Sequence, residues 1–209
     1  MPNLIAPDDV PSPIDLRLMA DAQDWEQSAM IKRPWRTEFF SCFERQIAES
    51  PSPVNRVLEL GSGPGFLAKY LLASIDHFAY TLLDFSPAMH SLAKARLGSL
   101  ATRAEFVKRN FKESIWTAGL GKFEFVVTNQ AIHELRHKRH APELHAQVKT
   151  LLAPCGIYLV CDHYAGDGGM RNNQLYMSVA EQREALLAAG FNQVEQIMIK
   201  GGLVMHRTS

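Results

Sequence analysis

Apolar residues gather in five short, nearly continuous runs, at 57–60, 78–83, 105–108, 123–127 and 157–161. Runs of that length without polar alternation suit strands buried on both faces. Helical three-to-four spacing lies between them: Phe66, Leu67, Tyr70, Leu71 and Leu72 after the first run, a segment opening near Pro87, and 141–153 before the fifth run. Strands alternating with helices predict an α/β chain with a parallel sheet. A helix over 179–189 stops at Gly190, and two β-prone runs, 193–199 and 203–206, are joined by Lys200-Gly201-Gly202, which reads as a hairpin. Upstream, 16–30 and 35–47 show helical spacing on either side of Lys32-Arg33-Pro34, and Pro51-Ser52-Pro53 divides them from the first strand. Four prolines within residues 1–13 predict an irregular arm. The expected organisation is an arm with two cap helices over 1–50 and an α/β domain over 51–209.

The chain has 209 residues, 46% of them apolar, enough for one substantial α/β core and too few for two. Lys plus Arg and Asp plus Glu both number 22, so no excess of positive charge is available to hold a polyanion, and nucleic acid is not an expected partner. No apolar run reaches the roughly 20 residues of a membrane span. The N-terminus lacks the basic-then-apolar order of a signal peptide, so a cytoplasmic location is expected. Cys42, Cys155 and Cys161 show no C-x-x-C spacing and read as reduced thiols.

The chemistry concentrates after the first run. Glu59 is its only ionisable residue, and Leu60 leads into Gly61-Ser62-Gly63-Pro64-Gly65, where three glycines in five positions allow a tight turn and a close approach of ligand to backbone. A dinucleotide-binding G-x-G-x-x-G would place glycine at 66, and this chain has Phe66. Asp84 ends the second run, 19 positions after Gly65, and is followed by Phe85-Ser86-Pro87-Ala88-Met89. An acidic group there can accept hydrogen bonds from ribose hydroxyls, while either Asp84 or Ser86 can cap the helix that follows. After the fourth run the chain reads Asn129-Gln130-Ala131-Ile132-His133-Glu134-Leu135.

E-x-G-x-G-x-G, D-h-S-P-x-M (h apolar) and N-x-x-x-H-x-L together resemble the motifs of the class I S-adenosylmethionine (SAM) dependent methyltransferases. The resemblance covers 57–206, and Leu152-Ala153-Pro154-Cys155-Gly156 is similar to the family's L-x-P-G-G turn with Cys in the first glycine place. It implies a Rossmann-like three-layer α/β/α sandwich with a mostly parallel seven-stranded sheet, whose antiparallel last strand accounts for the hairpin. It also implies SAM as cofactor and S-adenosylhomocysteine (SAH) as product, with Glu59, Leu60, Gly61, Ser62, Gly63, Gly65, Asp84, Phe85 and Met89 at the cofactor. Where the family usually has an adenine-contacting Asp beside an apolar residue, this chain has Asn110 and Phe111, and an amide oxygen can accept the same hydrogen bond. Asn129 and Gln130 are implied beside the sulfonium.

A methyltransferase reading leaves the acceptor open as a small molecule, taken by a monomer or homodimer. His133 and His163, each just past a strand end, are the candidate bases because imidazole titrates near neutrality, with a purely structural role as the alternative for both. In many family members N-terminal helices close over the cofactor and the acceptor, which makes Trp25, Trp35 and Arg36 candidate pocket walls, against core packing for the tryptophans and a solvated surface for the arginine. Arg171, Asn172, Asn173 and Tyr176, in and after the Gly-rich insertion 166–173, are further candidates for the acceptor side. A nicotinamide-dependent oxidoreductase and a non-catalytic SAM-binding protein remain as competing readings. So does His133-Glu134-Leu135-Arg136-His137, which spells the H-E-x-x-H of zinc hydrolases and on a helix would stack two imidazoles. Arg136, Lys138 and Arg139 oppose a dication there, and no metal is expected, although His133, Glu134 or His137 with Asp162 or His163 would form a looser divalent site.

Overall fold

Strands β1 (Arg56–Leu60), β2 (Ala79–Asp84), β3 (Ala104–Lys108), β4 (Phe123–Asn129), β5 (Leu152–His163), β6 (Val194–Lys200) and β7 (Leu203–Thr208) form one sheet in the order β3-β2-β1-β4-β5-β7-β6. The computed structural model describes residues 9–51 and 53–209; of the arm expected at 1–13, residues 1–8 lie outside the described residues. β1 to β5 pair in parallel, while β7 runs antiparallel between β5 and β6. This is the seven-stranded, mostly parallel sheet that the hairpin and the motifs predict. Strand order reverses between β1 and β4, and the chain leaves these two neighbours toward opposite faces, which opens a crevice at their carboxyl ends.

Both faces of the sheet are covered, which explains the absence of polar alternation. Along β1 and β5, Val57, Ile157, Leu159 and Cys161 face one core, while Leu58, Leu60, Tyr158 and Val160 face the other. The first core is closed by α2 (Arg36–Ala48) and α3 (Phe66–Ser74), the second by α5 (Ala141–Lys149) and α6 (Val179–Ala188). Helices α1 (Met19–Lys32) and α4 (Pro87–Leu97) meet through a small cluster built on Ala22, Ala88 and Met89. The cap helices thus occupy the expected places, and Phe39, Phe40, Phe43 and Ile47 of α2 share a core with the sheet.

Two features in particular differ from the pattern. Helix α5 ends at Lys149 rather than at 153, because Leu152 already pairs with Phe123 and starts β5 early. Cys155 then adopts φ +61°, the left-handed conformation for which the family's turn uses glycine. Trp35 is the second difference. Its ring lies against Gly201 of the β6–β7 turn instead of facing the crevice, and the nearby Lys200 Nζ pairs with Glu38 Oε1 at 2.6 Å across exposed surface.

A Cβ on Gly201 would overlap the Trp35 indole, at a backbone φ of +55° that already disfavours side chains. Gly201→Ala is therefore expected to lower unfolding free energy by about 1–3 kcal/mol through overpacking alone. Denaturant melts of the variant and parent measure it.

Candidate active site

The crevice is built outward from the β1–α3 turn. Gly61, Gly63 and Gly65 all have positive φ, and a Cβ on Gly61 would collide with that of Ala131, so the turn can lie flat against the end of β4 only with glycine there. Backbone N–H groups of Gly61 and Ser62 donate to the Leu83 carbonyl at 2.8 and 3.2 Å, stitching the turn to the end of β2. One residue further on, Asp84 accepts from Gly63 N–H at 2.8 Å through Oδ2 and from Ser86 N–H at 2.9 Å through Oδ1. Ser86 is the helix cap, its hydroxyl accepting from Met89 N–H, while Asp84 lines the crevice. Burial raises the Asp84 pKa to about 6 against those two hydrogen bonds. Glu59, 2% exposed, accepts from the Tyr80 hydroxyl at 2.9 Å, and burial raises its pKa to about 8, so it is largely neutral until a cation approaches.

The cavity collects most of the residues singled out in the sequence. Glu59, Gly61, Ser62 and Gly63 line it from β1, Asp84, Phe85 and Met89 from β2 and α4, and Phe111, Asn129 and Gln130 from the ends of β3 and β4. Trp25, Arg36, His133, His163 and Tyr176 close the remaining side. Seven residues are placed elsewhere. Leu60 is wholly buried in the core beneath the turn, and Gly65 packs against Ala93 and Leu97 of α4. Asn110 turns its Oδ1 to the Lys112 N–H, the behaviour of a polar turn residue. Trp35 packs on the hairpin, and Arg171 is exposed with Asn172 and Asn173, Asn172 using its side chain to shape the loop through Gln174 N–H.

Sequence reading missed Arg33 and Phe40 in the lining, as well as Leu16 from the N-terminal segment. Arg36 and Phe40 are one helical turn apart, so the inner face of α2 carried a usable signal. The segment before α1 is tied down by Arg136, whose guanidinium donates to the Val10 and Pro11 carbonyls at 2.8 and 2.7 Å.

The histidines form the other pole of the cavity. Asp162, buried at the end of β5, accepts from His133 N–H through Oδ2 at 2.9 Å, meets His133 Nδ1 at 2.7 Å through Oδ1, and accepts His163 N–H at 2.7 Å through the same oxygen. Burial alone would depress the His133 pKa, but the Asp162 carboxylate and then Glu134 raise it above the ordinary 6.5. His163 goes the other way, to about 3, through burial, the neighbouring His133 and the field of Arg33 and Arg36, with Asp162 opposing. The Tyr176 ring stands 5.5 Å from the His133 ring and 5.7 Å from that of His163.

H-E-x-x-H is a match of letters only. Ile132–Leu135 is a single 3₁₀ turn, Arg136 takes φ +70°, and His137 is extended with Nδ1 accepting from Arg139 N–H, so the two imidazoles do not stack on one helical face. Ligand atoms of His133, Asp162 and His163 do come within 4.8 Å of one another, a set with the composition of a divalent site. Asp162 already uses both oxygens within the group, and the two arginines bear on His163, so the arrangement fits a hydrogen-bonded dyad better than a cation cage.

Several buried polar atoms at this cavity have no partner among the described residues: Ser62 Oγ, Asn129 Oδ1, Gln130 Nε2, His163 Nδ1 and Arg36 Nε. Unpaired groups of this kind are destabilising unless a ligand or water completes them, and their clustering at one crevice marks a polar binding site. Fold and site together define an α/β protein that holds a nucleoside-like small molecule across the carboxyl ends of β1, β2 and β4.

Comparison with known proteins narrows that class. Residues 57–156 match the family model described as "Methyltransferase domain". Over those residues, just under half of the chain, it is similar to the methyltransferase family. It is 27% identical over 107 residues to a non-reducing polyketide synthase of Aspergillus novofumigatus, covering 49% of this chain and 5% of that one. It is 24% identical over 190 residues to the malonyl-[acyl-carrier protein] O-methyltransferase of Paenibacillus sp., covering 87% of this chain and 67% of the relative. The chain therefore spans only a small fraction of the polyketide synthases that it matches. Among solved structures, the DhpI–SAH complex superposes with a TM-score of 0.69 at 20% identity, over 92% of this chain and 95% of that one, which shows the shared fold.

The opposite shifts of the two histidines are measurable. In an NMR titration His133 is expected to titrate above 6.5 and His163 to stay neutral until near pH 3. Asp162→Asn removes the carboxylate that raises His133, so its midpoint is expected to move down. An unchanged His133 midpoint in that variant would show that the dyad does not govern its charge.

Proposed function

We propose that this chain transfers a methyl group from SAM to a small-molecule acceptor, with His133, oriented by Asp162, as the group that takes the acceptor's proton. The observation that carries the reading is the union, in one cavity, of the glycine turn with its flanking acids and the His133–Asp162 pair. The methyltransferase-domain match over 57–156 and the malonyl-[acyl-carrier protein] O-methyltransferase likeness support it, as does the SAH bound in the DhpI structure.

The residues present fit such a cofactor. Asp84 keeps free lone pairs on both oxygens for ribose hydroxyls, and Phe111 and Met89 offer apolar surface to a base. Glu59 and the unpaired Ser62 and Asn129 oxygens supply acceptors for an amino acid's ammonium group. SAM, when bound, supplies a methyl carbon already activated by its sulfonium. The protein's remaining tasks are alignment and proton removal. With Nδ1–H directed at Asp162, His133 keeps the Nε2 lone pair for the acceptor's proton, which leaves an imidazolium stabilised by the Asp162 and Glu134 carboxylates. Because these acids raise the His133 pKa, the basic form gains population as pH rises past 6.5.

Thermal melts test cofactor choice: at about one hundred times the dissociation constant, SAM or SAH is expected to add roughly 2.7 kcal/mol of stability, and NAD none. A shift with NAD alone would overturn the assignment. Calorimetry tests Asp84: affinity for SAH is expected to fall as pH drops below about 6, where the carboxyl is protonated. Asp84→Asn should weaken binding roughly tenfold at neutral pH, in line with the loss of charge-assisted bonds, with little change in stability because Ser86 is the cap. Methyl transfer from labelled SAM to components of a cell extract, read by mass spectrometry, separates an enzyme from a binding protein. With an acceptor in hand, the rate should rise with pH through the His133 midpoint, and Asp162→Asn should move that inflection downward.

A further inference from the structure

Arg36 is 4% exposed, yet among the described residues no carboxylate pairs with it. Its terminal Nη2 donates to Gln130 Oε1 at 2.6 Å, its Nε is buried without a partner, and its Cζ lies 5.4 Å from the centroid of the Trp25 ring. Gln130 holds that contact from a left-handed backbone, φ +60°, uncommon for a residue with a side chain. Arg33, half-buried at the junction of α1 and α2, lines the same cavity, and its positive charge reaches Tyr176 and Asp162. Burial and the mutual repulsion of the pair draw the Arg36 pKa down to about 10, so both guanidiniums are still charged at neutral pH. Two cations turned into one recess, neither of them in direct contact with a carboxylate among the described residues, form an incomplete arrangement, because a buried charge is normally matched by an opposite one.

We propose that Arg33 and Arg36 seat a carboxylate carried by the methyl acceptor, so that the substrate class is a small organic acid. This rests on the methyltransferase reading above. The pair bears on His163 and Tyr176, beside the His133–Asp162 dyad, whereas the glycine turn and Asp84 hold the other side of the cavity. An anion held there puts its neighbouring atoms next to the group that takes the proton. Charge count favours a monoanion: Asp162 and Glu134 stand close by, and both would repel a dianionic phosphate more strongly than a carboxylate. The free Nε–H of Arg36 and the Arg33 guanidinium offer charge-assisted donors suited to a carboxylate, and the Trp25 face limits how far the Arg36 head can move.

The test uses the full chain saturated with SAH and four probes in matched pairs, benzoate with benzamide and butyrate with butyramide, their binding followed by NMR titration. The carboxylates are expected to bind at least tenfold tighter than their amides. Arg33→Gln and Arg36→Gln should each abolish that preference, and Arg36→Lys should restore part of it, provided that melts show each variant folded. A second arm measures SAH and decarboxylated SAM by calorimetry. If the arginines serve the acceptor, both cofactor forms bind the parent and the variants within about twofold. The proposal is overturned if no carboxylate outbinds its amide on the parent protein. It is also overturned if the variants lose SAH affinity but bind decarboxylated SAM like the parent, since the arginines would then hold the cofactor's own carboxylate. Failure of the parent to bind SAH at all would instead strike the methyltransferase reading, which keeps the two failures distinct.

Discussion

Close approach between the β1–α3 turn and the end of β4 is the constraint on which the site depends. Gly61 has no room for a Cβ beside Ala131, and its N–H is committed to Leu83. That contact fixes the height of the turn over the sheet and brings the Gly63 N–H to Asp84. Once the turn is set, three strand ends present polar groups to a single crevice, and α2 can lie across it with Arg36 reaching Gln130. A larger residue at 61 would lift the turn, and the Asp84 and Arg36 contacts would lose their common frame.

The cavity is polarised along its length. Raised carboxyl pKa values at Glu59 and Asp84 mark an end that is short of positive charge, and it is that shortage which suits a cationic ligand. Arg33 and Arg36 mark an end short of negative charge, strong enough to help suppress protonation of His163. Between them the Asp162 carboxylate raises the proton affinity of His133 while its neighbour stays neutral, so two imidazoles whose rings lie 5.2 Å apart differ in acid–base character. Environment rather than residue type sets that division, and it depends on Asp162 touching the His133 ring and the His163 N–H through one oxygen, Oδ1.

Packing explains why the N-terminal helices belong with the site. Phe39, Phe40 and Phe43 anchor α2 in the same core as β1 and β5, and the Trp35 contact with Gly201 ties its start to the β6–β7 hairpin. The late hairpin thus buttresses the element that delivers Arg36. Segment 9–18 adds a strap, held by Arg136 and by the Ser86 hydroxyl donating to the Leu16 carbonyl at one side of the crevice.

Local chemistry made much of this legible in the chain itself. Unbroken apolar runs require strands covered on both faces, helical spacing between them requires crossovers, and glycines at 61, 63 and 65 require a turn that few other residues could form. Asp84 follows from its position one crossover later, and Phe85 and Met89 from the resemblance carried by the motif it opens. Tertiary structure decided what depends on contacts between distant segments. Asn110 could have faced the crevice or its own backbone, and the Lys112 N–H won. Trp35 could have lined the pocket, but the hairpin offered a glycine whose missing side chain admits the indole. His133 through His137 spelled a zinc motif, and one left-handed residue at Arg136 dispersed it. Arg36, a candidate pocket wall with a solvated surface as its alternative, lies 94 residues from Gln130 in sequence, and folding brings it within a hydrogen bond of that side chain. Periodicity reports which face of an element is buried; it carries no information on which distant group meets that face, and the charge of a buried residue is set by that partner.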